Sequence, residues 1–387
     1  MNKVLFYHDA FPFGGAERIT LDIANYVYNK GYEVYVLTPK LHVASFKHLK
    51  AIEIVPKSSK NKKAYINHII KFINDYQIDI FVGQFLDLLL YQSIKEQTQC
   101  KVIRALHNVP MWESIDRYYR RKGKSRFSIW EFIRYTFTYI NYYFLKSYNK
   151  KYITRYKAMY DNIDALTVLC DAYKKQLATY FKDDKRIHVI TNPEYPRSNP
   201  NLNKKKQIIY SGRLSYPHKR VDRLLSIWKK IYKEIPEWEL IIIGDGPERN
   251  ILELLAKKWK LERIKFIGYI PDVDIYYRNA SILCLTSTFE GWPLCLTEAQ
   301  ANGVIPISFN CCAGIEAILG PNKVNGILVP NGDINAFAKE LIELINNPQL
   351  MEEIRKNVLK KVLTYSPELV GEKWLNLFNT LLENSNN

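Results

Sequence analysis

The sequence predicts an α/β protein made of two Rossmann-like domains, each with a doubly wound parallel sheet. Short runs of Val, Ile, Leu and Tyr alternate with amphipathic helical patterns from one end of the chain to the other. These runs are almost continuously apolar, as in strands of a parallel sheet that is covered on both faces. A polar stretch with three prolines, residues 192–206, interrupts the alternation, which then starts again. Such a break is typical of a linker between two domains.

The first half of the chain supplies six predicted strands and two clear helical patterns. The strands are residues 3–8, 33–38, 78–83, 101–106, 165–169 and 188–191, and the helices are 16–30 and 64–75. In the second half, strands are predicted at 207–211, 239–244, 265–268, 281–286 and 304–308, with helices at 221–234, 249–260 and 333–346. This alternation of strand and helix favours parallel sheets over antiparallel ones.

The predicted domain division follows from the linker. A first domain covers residues 1–195, a linker 196–206, a second domain 207–365 and a C-terminal helix 366–387. In that last helix Ser366 is the predicted cap, Pro367 occupies the first turn, and the apolar side passes through Trp374 and Phe378. We expect this helix to pack back on the first domain, and the two domains to face a cleft that holds the ligand.

Composition excludes several classes of protein. The chain has 387 residues, 47% of them hydrophobic, which is enough for a sizeable core without disulfide bonds. The six cysteines show neither a CxxC pair nor metal-ligand spacing, so a reducing cytoplasm is expected. The N-terminus does not resemble a signal peptide, and no apolar run is long enough for a transmembrane helix.

Positive charge is concentrated in one segment. The whole chain carries a formal net charge of +17, yet residues 117–160 contain twelve Lys and Arg against a single acid, Glu131. The same segment holds ten of the 28 tyrosines. The protein is therefore a nearly neutral globular chain with one basic, tyrosine-rich segment in its first domain.

Glycines and charged residues follow several predicted strands. Gly14 and Gly15 open the first helix, where a polar or anionic ligand can approach the backbone, although such a pair is often only structural. The pattern is not GxGxxG, so dinucleotide binding is not indicated. Arg213 and Lys219 follow a strand of the second half and can clamp a diphosphate, or can simply form a solvated basic turn.

Two glutamates bracket a loop in the second half. Glu290 and Glu298 stand on either side of Gly291, Pro293 and the start of a helix. Free backbone N–H groups there favour an anion, and the carboxylates can accept hydrogen bonds from sugar hydroxyls. The alternative for Glu298 is an exposed residue in the first helical turn that the helix dipole stabilises.

Together these motifs resemble the family 4 retaining glycosyltransferases of the GT-B fold. They occur in the family's order over nearly the whole chain: Gly14-Gly15-Ala16-Glu17-Arg18, Ser211-Gly212-Arg213-Leu214, Lys219-Arg220-Val221-Asp222, Gly244-Asp245-Gly246-Pro247 and Glu290-Gly291-Trp292-Pro293-Leu294 followed by Glu298-Ala299. Arg220 is a departure, because the family usually has Gly after the Lys.

The resemblance implies a role for each matching residue. Arg213 and Lys219 hold the donor's pyrophosphate and stabilise charge on the leaving nucleoside diphosphate, and Glu298 binds the ribose hydroxyls. The donor sugar and phosphates are held by Glu290, Gly291, Trp292, Pro293 and Leu294. Gly15 lies against the diphosphate, Ile270 frames the base and His107 lies near the donor sugar. The implied catalytic set is Glu290, His107, Arg213 and Lys219.

The reaction implied by the resemblance is transfer with retention at the anomeric carbon, without a cofactor and without a metal. Glu290 is the only carboxylate in these motifs that can serve as a nucleophile. The family instead favours front-face attack assisted by the leaving phosphate. His8 and His107 both follow strands, where a histidine can equally bond to a neighbouring loop, and no carboxylate–histidine spacing indicates a metal site.

Phe144, Tyr148, Tyr152, Tyr156 and Tyr160 recur every four residues, which predicts one face of a helix. One interpretation is a core-facing tyrosine stripe with solvated cations. The other is an interfacial surface whose aromatic residues lie at headgroup level and whose cations meet anionic lipid. A nucleic-acid surface is disfavoured because no binding motif accompanies the segment.

The resulting hypothesis is a membrane-associated hexosyltransferase of envelope polysaccharide, lipopolysaccharide or capsule biosynthesis. It would move a hexose or N-acetylhexosamine from a nucleoside-diphosphate sugar, with UDP as the expected nucleotide, to a glycan or polyprenyl-linked glycan. We expect it in the cytoplasm, peripheral on the inner face of the cell membrane. The alternatives are a nucleotide-sugar epimerase of similar architecture and a non-catalytic basic lipid-binding protein on this scaffold.

Overall fold

The computed structural model describes residues 1–12, 14–43, 45–53, 62–124, 126, 128–144 and 147–383. Its strands form one sheet of seven strands and one of six, with parallel neighbours throughout both. The predicted fold class, two doubly wound parallel sheets, is confirmed. By their internal contacts the residues divide into a first unit, Met1–Ser114, Leu145–Pro193 and Pro367–Asn387, and a second unit, Ile115–Phe144 and Glu194–Ser366.

The first sheet has the order β3-β2-β1-β4-β5-β6-β7. Its strands are β1 Lys3–Tyr7, β2 Glu33–Thr38, β3 Lys50–Glu53, β4 Ile80–Gly83, β5 Lys101–Ala105, β6 Ala165–Val168 and β7 Ile187–Val189. The chain builds one side of β1 and then crosses to the other, so the strand order reverses between β1 and β4. In open α/β sheets, ligands bind beyond the carboxyl ends of the strands at such a reversal.

Helices connect these strands. They are α1 Gly15–Tyr28, α2 Lys62–Asp75, α3 Leu88–Gln97, α4 Trp112–Lys124, α5 Ile129–Tyr139, α6 Ser147–Tyr160 and α7 Asp171–Phe181, with one π-helical turn at Ile140–Phe144. Asp87 caps the start of helix α3: its side chain accepts a hydrogen bond from the backbone N–H of Leu90. In the described ranges, no helix combines the length and the apolar character needed to cross a membrane.

The second sheet has the order β10-β9-β8-β11-β12-β13. Its strands are β8 Gln207–Ser211, β9 Glu239–Ile243, β10 Ile264–Gly268, β11 Ile282–Leu285, β12 Ile305–Asn310 and β13 Ile327–Pro330. The helices are α8 Val221–Ile231, α9 Arg249–Lys258, α10 Asp274–Asn279, α11 Leu294–Ala301, α12 Ala313–Leu319, α13 Ile334–Ile345 and α14 Pro348–Lys361, then a 3₁₀ turn at Val362–Tyr365. Here the order reverses between β8 and β11.

The cores of both units are the apolar strands that the sequence pattern predicts. All four residues of β4, β6 and β11 are buried, as expected for strands with helices on both faces. Strands β3 and β13, of four residues each, were not predicted. The predicted strand at 188–191 lies instead at Ile187–Val189.

The last helix, α15 Pro367–Glu383, packs on α1 within the first unit. The Tyr26 hydroxyl donates to Glu372 Oε2 at 2.7 Å, and the Tyr32 hydroxyl donates to Asn379 Oδ1 at 2.7 Å. At Gly371 a Cβ atom would lie 2.3 Å from the Tyr26 ring, so only glycine allows this close approach. A helix at the end of the sequence therefore completes the first unit.

We call residues 115–144 the inserted segment, because the chain leaves the first unit before it and returns after it. Side chains at its two ends are bonded to each other: Ser114 Oγ donates to Asn149 Oδ1 at 3.0 Å, and the Tyr156 hydroxyl donates to Glu113 Oε2 at 3.0 Å. The fully buried Arg104 lies over the Tyr156 ring and 3.4 Å from Glu113. These contacts close the base of the inserted segment.

The tyrosine stripe of α6 is divided between core and surface. Tyr156 and Tyr160 are buried, and the Tyr160 ring stacks on Phe181 at 4.2 Å, so the core interpretation holds for this end. Tyr152 is half-buried and Phe144 is exposed. The side chain of Tyr148 lies outside the described residues.

Candidate active site

The first part of the candidate site in the second unit is the loop that follows β8. Gly212 N–H donates to Ile243 O at 3.0 Å, and Leu214 N–H donates to Asp245 O at 2.8 Å. Gly244 has a φ of 125°, and a Cβ atom there would lie 2.1 Å from Gly212 O. The Gly-Asp-Gly-Pro motif therefore acts as a support: its glycines let the loop after β9 pack directly against the loop that carries Arg213.

Arg213 itself is exposed at the end of β8, and its backbone carbonyl accepts a hydrogen bond from the Tyr210 hydroxyl at 3.1 Å. Tyr210 is fully buried, so this bond ties the backbone of residue 213 to the core while the guanidinium remains accessible. This is the arrangement expected of a cation that meets a ligand arriving from solvent.

A buried carboxylate lies at the reversal between β8 and β11. Lys219 Nζ is 2.6 Å from Glu290 Oε1, and the Ser287 hydroxyl donates to the same oxygen at 2.6 Å. His218 Nε2 lies 3.7 Å from Glu290 Oε2. Residues 71 positions apart in sequence meet here because β8 and β11 are neighbours in the sheet.

Hydrogen bonds join the two loops that carry this pair. Thr288 N–H donates to His218 O at 2.8 Å, and the Thr286 hydroxyl donates to Arg220 O at 3.0 Å. Arg220 adopts a left-handed conformation, φ 50°, immediately before α8, and its guanidinium pairs with Asp222 at 2.8 Å. The departure at position 220 thus supplies a local ion pair and leaves Lys219 directed at Glu290.

The charges of this pair are fixed by the electrostatics. Burial alone would raise the pKa of the Glu290 carboxyl, but Lys219 and His218 outweigh it and hold that pKa well below its usual range. Burial likewise works to lower the pKa of Lys219, and the adjacent Glu290 outweighs it, so the ammonium pKa is raised. Glu290 is therefore an anion of low basicity, and Lys219 remains a cation.

His218, which lies beside Glu290, is the first of three stacked aromatic rings. The His218 ring stacks on Phe289 at 4.3 Å with an interplanar angle of 13°, and Phe289 stacks on Tyr119 of α4 at 5.4 Å. The sequence alone did not predict a role for His218, Ser287 or Tyr119. The available sequence signal for His218 was its position next to Lys219. Residue spacing does not show which aromatic rings stack on one another.

The loop between the two glutamates is buried and leads into α11. Gly291, Trp292 and Pro293 are buried, Leu294 is half-buried, and α11 begins at Leu294 without a side-chain cap. The Trp292 ring meets Tyr365 edge-on at 5.3 Å, and its indole Nε1 is a buried donor with no hydrogen-bond partner among the described residues. An uncapped helix start and an unused donor are both able to receive an acceptor group of a ligand.

Glu298 is half-buried on the next turns of α11. Its Oε2 accepts a hydrogen bond from the Tyr277 hydroxyl of α10 at 3.0 Å, which orients the carboxylate. Tyr277 is buried, so Glu298 is held by the core and is not a freely rotating surface residue. Ile270, the residue predicted to frame the base, is half-buried in the loop after β10.

In the first unit, His107 follows β5 and its Nδ1 lies 3.2 Å from Asn192 Oδ1. Burial lowers the pKa of His107 to about 4, so its imidazole is neutral near pH 7. His8, fully buried after β1, lies 2.9 Å from Thr20 Oγ1 and 3.7 Å from Glu17 Oε1. Burial works to raise the pKa of Glu17, but the nearby His8 and a backbone hydrogen bond outweigh it, so that pKa is lowered and the carboxylate is charged.

Gly15 is the first residue of α1, close in sequence to these groups. At Gly14 an added Cβ atom would lie 2.0 Å from Glu17 Oε2, so the glycine leaves room for that carboxylate. The reversal between β1 and β4 therefore gathers Gly14, Gly15, Glu17, His8 and Gln84, whose Nε2 is 3.2 Å from His8 Nε2. Of these, the sequence analysis assigned a role to Gly15 alone.

Two doubly wound parallel sheets of this kind form the GT-B architecture, and solved structures share it. A galactosyltransferase of the lipopolysaccharide outer core aligns over 98% of this chain and 99% of its own with a TM-score of 0.71 and 19% identity. Anabaena HepE in complex with UDP-glucose aligns over 98% and 99% with a TM-score of 0.75 and 15% identity.

The chain belongs to the glycosyltransferases: the model described as Glycosyltransferase Family 4 matches residues 13–193, and the model described as Glycosyl transferases group 1 matches residues 191–361. An uncharacterized glycosyltransferase of Haemophilus influenzae is 28% identical over 370 residues, 93% of this chain and 95% of the relative. A Campylobacter jejuni α-1,4-N-acetyl-D-galactosaminyltransferase, named for an acceptor on undecaprenyl diphosphate, is 24% identical over 97% and 98%. The predicted family is thus confirmed.

Proposed function

We propose that this glycosyltransferase moves a hexose or N-acetylhexosamine from a UDP-sugar to a lipid-linked or envelope glycan, with retention at the anomeric carbon. One observation carries the proposal: the buried ion pair of Glu290 and Lys219 at the reversal of the second sheet, where open α/β sheets bind their ligands. Such a pair is costly to bury, which is a reason to look for a function in it.

Lys219 and Arg213 bind the diphosphate of the donor. Lys219 spends one of its three N–H donors on Glu290 and retains two for phosphate oxygens, and the exposed Arg213 guanidinium offers a planar, bidentate donor. Their charge stabilises the nucleoside diphosphate as the bond to the sugar breaks. The uncapped start of α11 adds backbone N–H groups, and Glu298, oriented by Tyr277, accepts hydrogen bonds from the ribose hydroxyls.

Glu290 acts on the sugar as a fixed hydrogen-bond acceptor. A carboxylate whose pKa is held low by Lys219 and His218 is a weak base and a correspondingly poor nucleophile. This supports attack from the face of the departing diphosphate over a covalent glycosyl-enzyme. We assign the neutral His107 imidazole to the donor sugar as a hydrogen-bond partner, with Gly15 against the diphosphate and Ile270 against the base.

The relatives support the classes of donor and acceptor. The Campylobacter jejuni enzyme is named for an α-linked product on a polyprenyl diphosphate, and HepE was crystallised with UDP-glucose. We therefore place this chain in polysaccharide biosynthesis at the inner face of the cell membrane. The Arg213 and Lys219 clamp supplies the charge that a metal ion would otherwise supply, so we propose that the reaction needs no metal.

The experiment measures nucleoside-diphosphate release from a panel of sugar nucleotides, with and without polyprenyl-linked glycan and with and without EDTA. We expect UDP release that depends on one sugar, increases with acceptor and survives EDTA, and an α-linked product by NMR. Conversion of the donor sugar without release would indicate an epimerase. Absence of release with every donor, while lipid still binds, would indicate a non-catalytic protein and refute the proposal.

A further inference from the structure

The inserted segment carries a face that is exposed in the part of the chain that the structure describes. Nine of the 16 residues from 129 to 144 are large hydrophobic residues with exposed side chains. Three of these side chains are aromatic, lie on the same face and are largely exposed: Trp130 is 74%, Phe137 64% and Phe144 71% exposed. Isolated exposed hydrophobic residues are ordinary, but a contiguous group of this size indicates an interaction surface.

The exposed residues have helical periodicity. Trp130, Ile133, Phe137, Ile140 and Phe144 recur at intervals of three and four residues through α5 and the π-helical turn. At about 100° per residue these five side chains fall within roughly 80° of one another around the helix axis. They therefore form a continuous stripe, which we call the apolar stripe.

The opposite side of α5 is anchored to α4, so the apolar stripe is presented by a fixed scaffold. The Tyr118 ring stacks on Tyr142 at 4.7 Å, and its hydroxyl lies 3.1 Å from that of Tyr135. Arg121 pairs with Glu131 at 2.8 Å. Tyr135, Tyr142 and Glu131 thus pack within the inserted segment, while the aliphatic and Trp/Phe side chains of the helix are left outward.

Charge identifies the occupant of this face. The inserted segment contains seven Lys and Arg against two acids, Asp116 and Glu131, and both acids are engaged by arginines. Arg117, Lys124 and Arg134 of the same segment are exposed. A second copy of the chain would bring two such positive faces together, whereas anionic headgroups above an acyl region match both the cations and the apolar stripe.

We propose that the apolar stripe inserts into the headgroup region of an anionic lipid bilayer while the surrounding Lys and Arg contact lipid phosphates. The 16 residues span only about 24 Å as a helix, so they lie in the plane of the interface and do not cross it. This differs from the expectation drawn from the α6 tyrosines, whose buried Tyr156 and Tyr160 belong to the core. The proposal does not depend on the proposed sugar transfer.

The first test is co-sedimentation of the full chain with vesicles of phosphatidylcholine alone and with about one-third phosphatidylglycerol. We expect binding to the anionic vesicles, and about 100-fold weaker partitioning after Trp130→Ala, Phe137→Ala and Phe144→Ala together. The matched control replaces three comparably exposed residues elsewhere, Leu254, Ile275 and Leu363, by alanine and should bind as the wild type does.

Two further measurements separate insertion from simple charge attraction. Trp130→Phe should retain binding but lose part of the tryptophan quenching by brominated lipid. Arg117→Gln and Lys124→Gln should each weaken binding to anionic vesicles by about fivefold with little effect on neutral ones. The thermal unfolding temperature in the absence of vesicles serves as a folding check for every variant.

Four outcomes would overturn the proposal. The first is no sedimentation of the wild type with anionic vesicles at low salt. The second is equal binding by the apolar-stripe variant and its matched control. The third is a wild-type dimer in solution that the apolar-stripe variant dissociates, which would make this face a contact between copies. Binding to nucleic acid in place of vesicles would also refute it.

Discussion

Replacing Glu290 by Gln tests the buried ion pair directly. The substitution keeps the shape of the side chain and leaves the Lys219 ammonium, 2.6 Å away, without its counter-ion. Both partners are largely buried, with side-chain exposures of 19% and 8%, so the loss is not screened by solvent as at the surface. Removing one partner of such a pair costs about 3 kcal/mol of unfolding free energy.

The assay is chemical and thermal unfolding of the wild type, Glu290→Gln, Lys219→Met and the double variant. A loss of about 3 kcal/mol corresponds to a Tm lower by about 6 to 12 °C for a unit of this size. The double variant should recover at least half of the loss, because it buries no unpaired charge. Turnover should fall about 100-fold or more in Glu290→Gln, since a contact to the reacting sugar is lost.

A matched control is present on the surface. Lys356 Nζ and Glu352 Oε1 are also 2.6 Å apart, but both side chains are about two-thirds exposed, at 68% and 67%. Glu352→Gln should change the unfolding free energy by less than about 0.5 kcal/mol. The reasoning is refuted if Glu290→Gln behaves like Glu352→Gln, or if the double variant loses the sum of the two single losses.

The pH dependence has a definite sign. Because the pKa of Glu290 is lowered on folding, its stabilising contribution is present above the unfolded value of about 4.3 and is lost as pH falls below it. The difference in unfolding free energy between the wild type and Glu290→Gln should therefore be constant from pH 8 to about pH 5 and shrink toward about pH 3. An unchanged difference at low pH would contradict the assigned charge state.

Three further predictions concern other residues. Glu298→Ala should weaken UDP binding about tenfold by calorimetry with a smaller loss of turnover, and equal UDP affinity would remove it from the site. Gly244→Ala should lower stability by more than about 2 kcal/mol, because its Cβ would lie 2.1 Å from Gly212 O; an unchanged Tm would refute this contact. His107 has its pKa lowered by burial to about 4, so the wild type should lose stability relative to His107→Gln as pH falls from about 6.5 to 4, and an NMR titration near 6.5 would contradict the burial.

The order of the elements was readable from the sequence because both sheets are parallel and covered on both faces. The run Ile208-Ile209-Tyr210 within residues 207–211 predicts a strand, and β8 has these bounds. Strands β3 and β13 escaped prediction because four residues at a sheet edge carry too little pattern to be separated from a loop. The bounds of the other predicted strands and of the helices before residue 347 moved by at most three residues.

The sequence motifs named candidate site residues, but they did not predict the contacts between the side chains. Glu290 and Lys219 were assigned to the same ligand, and the structure pairs them with each other as well. Ser287 and His218 contact Glu290 through the folding of two loops, and no spacing rule encodes these contacts. The period-four tyrosine pattern also left core and surface open, because periodicity defines a face without saying what covers it.

The closed base of the inserted segment has a consequence for exchanging this segment between related enzymes. Ser114 and Asn149 are joined by a hydrogen bond of 3.0 Å, and Glu113 and Tyr156 by another. These bonds hold the two ends of the inserted segment close together. Exchanging the residues between these points changes a loop whose closure is already provided by the scaffold, at an entropic cost that grows only with the logarithm of its length. A graft from a relative between these points therefore has to preserve Tyr119, because its ring stacks on Phe289 of the loop that carries Glu290.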